Sequence, residues 1–198
     1  LQRQARYDKA GDSHYDTISA FIKSIRSSDP DPAVYWLARM IDAGEDVMFI
    51  ARRLVISAAE DIGLADPGAL NFAVVCQQGV HLIGLPEARI LLAEATIYLA
   101  SAPKSNSAYS AINAALCDID KNGSPPVPLH LRNAPTRLMK EMRHGEGYKY
   151  AHDFEGGFTE TSNLPEARED ARFYHPRDQG YESKIAERLI RWWKDRYR

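Results

Sequence analysis

A chain of 198 residues, 44% hydrophobic and 26% charged, is long enough to bury one sizeable core without disulfides, and its composition is too ordinary for a disordered or membrane class. A formal net charge of -2 lacks the basic footprint that phosphate backbones demand, and no run of eighteen apolar residues is present to span a bilayer. The two cysteines, Cys76 and Cys117, both fall inside apolar helical patterns, which reads as a reduced cytoplasmic protein with buried thiols.

Leu1-Gln2-Arg3-Gln4-Ala5-Arg6 has no signal-peptide character and reads as a helix entered midway. Apolar residues then recur at three and four, predicting an all-α body. Ile18, Phe21, Ile22 and Ile25 form the first stripe. Ser27-Ser28-Asp29-Pro30-Asp31-Pro32 stops it and opens a second helix, with Asp31 as N-cap and Pro32 in the first turn. Over 34–41 that helix is apolar nearly all round, so it is expected to be central or to bury a second face against another chain. A third helix is expected over about 45–62, with Gly63 as its stop. The fourth starts at Asp66-Pro67, and the fifth at Leu85-Pro86-Glu87, ending by Pro103. A sixth is capped by Ser105 or Asn106 and runs to about Asp120, giving a helical bundle or layered array.

Gly123-Ser124-Pro125-Pro126-Val127-Pro128 cannot continue a helix. An irregular arm is expected over about 123–180, interrupted by one short helix over 135–143. Its six rings, Tyr148, Tyr150, Phe154, Phe158, Phe173 and Tyr174, are expected to pin it to the helices. The terminal helix, about 181–197, sets Tyr181, Ile185, Leu189, Trp192 and Trp193 opposite Arg188, Arg191 and Arg198.

The residues hold little recognisable chemistry. Lys104-Ser105 lacks the two glycines that let backbone amides approach phosphates, so it reads as a turn between helices. Glu60-Asp61 follows a run of helical spacing and does not read as a magnesium-binding strand end. His144, His152, Asp153 and Glu155 lack ligand spacing, and no histidine sits beside a serine or cysteine with an orienting acid. No catalytic, cofactor-binding or metal-binding residue is therefore assigned. The basic and aromatic mixture of the arm reads first as packing anchors with a solvated rim.

Several words in order carry a resemblance: Arg6-Tyr7-Asp8-Lys9, His14-Tyr15-Asp16, Tyr35-Trp36-Leu37-Ala38-Arg39-Met40, Phe49-Ile50-Ala51-Arg52-Arg53-Leu54, Ala59-Glu60-Asp61-Ile62-Gly63-Leu64-Ala65-Asp66-Pro67, Ala102-Pro103-Lys104-Ser105-Asn106, Pro128-Leu129-His130-Leu131-Arg132-Asn133-Ala134 and Gly147-Tyr148-Lys149-Tyr150. Together they resemble the C-terminal region of the replication-associated recombination protein A family, also called MgsA or RarA, whose eukaryotic relative is the Werner-helicase-interacting ATPase. The likeness covers nearly the whole chain. It departs from the family at Ala151, where a proline is usual.

The resemblance implies a clamp-loader-like helical collar. Residues 1–13 would be the tail of the lid of an AAA+ core, and 14–198 a domain that assembles homotetramers. It also implies a parent that binds ATP and magnesium upstream of Leu1. That parent would act on DNA at stalled forks beside single-stranded-DNA-binding protein, in the cytoplasm at the nucleoid. For the collar, Tyr35, Trp36, Met40, Trp192 and Trp193 are the candidate oligomer contacts. The competing expectation is a module contacting single-stranded or forked DNA, with Arg52, Arg53, Arg132, Lys140 and Lys149 as its contacts.

Overall fold

The computed structural model describes residues 12–197, and every element among them is helical. The expected lid tail over 1–13, for all but its last two residues, and the terminal Arg198 lie outside the described residues. The chain forms two compact units, one of residues 1–109 with 176–185, the other of residues 110–175 with 186–198.

The first unit is built on α1 (Asp12–Arg26), α2 (Pro30–Asp42), α3 (Val47–Ser57), α4 (Gly68–Ile83) and α5 (Ala88–Ser101). Helix α1 packs on α2, α2 on α5, and α4 against both α3 and α5. The core takes Ile18, Phe21 and Ile25 of the expected α1 stripe, with Leu37 and Met40 from α2, Ile50 and Leu54 from α3, and Leu92 and Leu99 from α5. Between α1 and α3, His14 Nδ1 lies 2.8 Å from a Glu45 carboxylate oxygen, both side chains being largely buried.

Two prolines open α2, and here the expected cap is corrected. The cap is Asp29, not Asp31, with Pro30 at the first helical position. Pro32 is tolerated two residues further in because amides of the first turn have no intrahelical acceptor in any case. Within the chain, helix α2 buries one face. Ala33, Leu37 and Met40 point inward, while Tyr35, Ala38 and Arg39 are exposed.

Helix α3 is capped by Asp46, whose side chain accepts from the Met48 amide at 2.9 Å. It does not run on as α-helix to Ile62: Ala58–Ile62 is a π turn, followed by a 3-10 turn at Gly63–Ala65. Gly63 takes φ 50°, and a Cβ there would lie 2.6 Å from the Ser105 carbonyl oxygen. The carbonyl of Asp61 accepts from the Ser105 amide at 2.8 Å.

Residues 176–185 return to this unit from far along the chain. Tyr181 donates its amide to the Ala65 carbonyl at 2.7 Å. Gly180 has φ 52°, and a Cβ would fall 2.2 Å from the Ala65 oxygen. Glu182, which opens α8 (Glu182–Trp193), is fully buried and accepts a hydrogen bond from the Ser107 hydroxyl at the start of α6 (Ser107–Asn122). A buried carboxylate is tolerated only with such partners.

The second unit is organised differently. Every fully buried apolar side chain among the described residues lies at or before Ala102, so this unit has none. It carries α7 (Arg137–Glu141) and several 3-10 turns. Arg168 ties it together, donating through Nε to Asp118 at 2.7 Å and through Nη2 to the Asn122 carbonyl at 3.4 Å. Phe158 stacks on Trp192, with centroids 5.6 Å apart, and meets Trp193 edge-on at 5.1 Å. Arg172 lies 4.6 Å from the Tyr197 ring centroid. The expectation that all six rings of the arm would be covered is corrected: Phe158, Phe173 and Tyr174 are, in part, whereas Tyr148, Tyr150 and Phe154 stay about half exposed. Of the two cysteines, only Cys76 is buried; Cys117 is exposed, because α6 turns that face to solvent.

Candidate functional site: an apolar hairpin face and a polar cavity

The hairpin of α4 and α5 arranges its residue sizes in an unusual way. Helix α4 turns Ala69, Ala73, Cys76 and Val80 inward, and α5 turns in Ala88, Ala95 and Ala100 beside Leu92 and Leu99. Small residues let the helices approach closely: the Cys76 thiol reaches the Leu91 carbonyl at 3.3 Å, and a Cβ on Gly79 would come within 2.8 Å of a Leu91 methyl. Burial of Cys76 raises its thiol to about 11, so it stays protonated.

The large side chains are left outside. Val75 and Leu82, two turns apart and therefore on one side of α4, are 64% and 85% exposed. Ile90 and Ile97, related in the same way on α5, are 61% and 47% exposed. Over 68–101 the only formal charges are Glu87, Arg89 and Glu94. Scattered apolar residues on a surface are ordinary, but a hairpin with only three formal charges, of which Glu94 shares the side of Ile90 and Ile97, is as sparse in charge as an interface centre. Helix α6 carries a second stripe, with Ile112, Leu116 and Ile119 each about half exposed.

The expected oligomer contacts fare unevenly. Tyr35 is exposed and Trp36 half-buried, the two rings meeting edge-on at 5.1 Å with Arg39 over Trp36. Met40 is 1% exposed, because its position in α2 faces the core, and has no surface to offer a partner. Trp192 and Trp193 are half-buried in the second unit against Phe158.

The candidate DNA contacts do not fall in one unit. Arg52 and Arg53 belong to the first, Arg132, Lys140 and Lys149 to the second. Arg52 lies 3.5 Å from Asp46, Arg53 is half-buried, and Arg132 donates Nε to the Val127 carbonyl at 2.7 Å; Lys140 and Lys149 are exposed. No group of three or more His, Cys, Asp or Glu side chains able to hold a metal occurs among the described residues, and no helix among them is long and apolar enough to cross a membrane.

A polar cavity of about 840 Å³ opens within the first unit, where four separated segments of the sequence meet. Arg26, at the end of α1, donates Nε to Asp61 at 2.5 Å and Nη2 to Glu60 at 3.2 Å. The hydrogen bond it donates to Asp61 raises the Arg26 guanidinium further, keeping it charged. Lys104 donates to the carbonyls of Ala100 and Ala102 at 3.0 and 2.6 Å, closing the end of α5. Burial lowers its ammonium, and Asp61 opposes that. Arg177 reaches the Asn106 side-chain oxygen at 3.2 Å. The sequence pattern alone did not single out Arg26 or Arg177; the signal that could have found the cavity was the joint presence of Glu60-Asp61 and Lys104-Ser105-Asn106 among the words of the resemblance.

Comparison with known proteins agrees with that resemblance. A family model described as MgsA AAA+ ATPase C terminal matches residues 27–193, and one described as AAA C-terminal domain matches residues 1–26. Replication-associated recombination protein A of Coxiella burnetii is 48% identical over 93% of this chain and 42% of that protein. Its namesake in Escherichia coli K12 is 46% identical over 95% of the chain and 42% of the protein. ATPase WRNIP1 of Dictyostelium discoideum is 43% identical over 88% of the chain and 20% of the protein. The chain thus spans about two fifths of the length of the bacterial relatives named here.

Proposed function

Starting from a chain that belongs to the MgsA AAA+ ATPase C-terminal family, we propose that this helical domain self-associates, forming the homotetrameric collar of an AAA+ ATPase that acts on DNA during replication and recombination. The observation that carries the reading is the α4–α5 face, with Val75, Leu82, Ile90 and Ile97 outward and alanines inward. Fully burying one such aliphatic side chain is worth roughly 1.5–3 kcal/mol, so four partly exposed ones offer a gross gain of about 4–8 kcal/mol per copy, before the cost of association is deducted.

In this reading the catalytic work belongs to an upstream core that binds ATP and magnesium. Lys104 is a poor stand-in for a nucleotide-loop lysine. No glycine loop precedes it, and its ammonium is held by the carbonyls that end α5. The collar would hold several ATPase cores around one DNA, with single-stranded-DNA-binding protein as a neighbour, in the cytoplasm at the nucleoid. Light scattering on this chain tests the central claim. A mass several times 22.3 kDa at tens of micromolar supports it, and a clean monomer rejects it.

A further inference from the structure

The polar cavity has a lopsided pattern of pairing. Three cations and three carboxylates line it, so its formal charges cancel, but they are not equally engaged. Glu60 and Asp61 both pair with Arg26, and Asp178, the third carboxylate, forms no ion pair among the described residues. Lys104 and Arg177 form no ion pair among the described residues; their hydrogen-bond partners are neutral oxygens of Ala100, Ala102 and Asn106. Each therefore keeps donors in reserve. The lysine has one N–H bond left, and the guanidinium has most of its five. Because its oxygen is occupied by Arg177, the Asn106 amide is oriented with its NH2 available.

One further feature favours an anion there, and another favours hydroxyls beside it. Asn106 immediately precedes α6, whose start sets the positive end of the helix dipole at the cavity wall, the Ser107 amide there donating to the Ser105 hydroxyl at 3.3 Å. The opposing helix end, that of α5, is already neutralised by Lys104. Asp61, only 6% exposed, keeps one carboxylate oxygen without a hydrogen-bond partner, so a bound group bearing hydroxyls would find an acceptor nearby. The volume, about 840 Å³, far exceeds a bare phosphate and lies in the range of small-molecule sites. The half-exposed Tyr109 ring on the wall offers a flat apolar surface.

We propose that this cavity binds a phosphate ester of nucleotide size, its phosphate held by Lys104, Arg177 and the start of α6. The site is separate from the self-association face and does not depend on it. The ester could come from a free mononucleotide or from the phosphorylated end of a strand, and both present the same group to the same donors.

The test is calorimetric titration of the full chain at low salt with four probes: adenosine 5′-monophosphate, a 5′-phosphorylated tetranucleotide, adenosine and inorganic phosphate. Saturable binding of either phosphorylated probe, competed by inorganic phosphate and absent for adenosine, supports the proposal. The first two probes distinguish a free nucleotide from a strand end. Arg177→Gln removes an exposed cation whose one hydrogen bond to the fold is that to Asn106, and should weaken binding about tenfold or more, the size of a lost hydrogen bond to a charged group, with circular dichroism checking that the fold is kept. Lys104→Gln should do the same, with circular dichroism checking that α5 is intact. No saturable binding, equal binding of adenosine, or binding indifferent to Arg177→Gln would overturn it. Light scattering on the same samples keeps this result distinct from the fate of the self-association reading.

Discussion

Replacing Leu82 with Asp separates the two roles that an apolar side chain can play. Leu82 is 85% exposed within its own unit, so the substitution should change the stability of a single copy by no more than about 0.5 kcal/mol. In a self-associated collar the same site loses the roughly 1.5–3 kcal/mol of a buried leucine and gains an unpaired carboxylate, whose desolvation costs several kcal/mol more. A combined loss of at least about 3 kcal/mol per interface weakens association more than a hundredfold. Sedimentation equilibrium across the micromolar range reads the mass, and circular dichroism the fold. The expected result is a helical monomer where the parent chain is larger. Met40→Asp is the control, because a side chain 1% exposed has no interface role: it should unfold the unit rather than split the assembly. A Leu82→Asp chain with the parent's mass, at concentrations where the parent is oligomeric, would refute the assignment of this face.

Three further outcomes probe the fold. Gly180→Ala must place a methyl 2.2 Å from the Ala65 oxygen at a positive φ, so it should lower the unfolding free energy by about 2–3 kcal/mol; an unchanged denaturation midpoint would show that the return segment does not sit there. Phe158→Ala removes a stacked and an edge-on ring contact, worth about 1–3 kcal/mol together, and should shift tryptophan emission to the red through Trp192 and Trp193. Asp118 is held below its ordinary value of 3.8, first by the Arg168 hydrogen bond and then by Asn122. A carboxylate depressed in the folded state contributes stability above its unfolded value, and that contribution is lost as pH falls through the folded one. Urea melts between pH 2 and 5 should therefore show a stability rising with pH that Asp118→Asn reduces, and an identical slope in the variant would remove the pair as its source.

The stripe on α1 was legible because apolar residues at three and four have one physical meaning when a core is available. The start of α2 was ambiguous for a local reason: Asp29-Pro30 and Asp31-Pro32 are the same cap signal twice, and the chain uses the first. The π turn at Ala58–Ile62 left no mark in the sequence, since its five residues keep a helical apolar pattern up to Gly63. Apolar periodicity also does not say which face is inside when both are apolar. On α4 the alanines and Val80 won the core, and Val75 and Leu82 were left to solvent. The cavity was illegible from spacing because Arg26, Asp61, Lys104 and Arg177 are brought together only by tertiary packing.

The return of residues 176–185 to the first unit has a bearing on synthesis. Ser107, Asn106 and Ala65 wait for Glu182, Arg177 and Tyr181, and about 70 residues separate Tyr109 from Pro176. At roughly 5–20 residues per second, a ribosome needs about 4–14 s to make that stretch. For that interval α1–α5 exist with the Ser107 hydroxyl and the Ala65 carbonyl still facing water. The first unit is therefore a body whose final piece arrives last, and a chain ended before Pro176 would leave it permanently at that earlier stage.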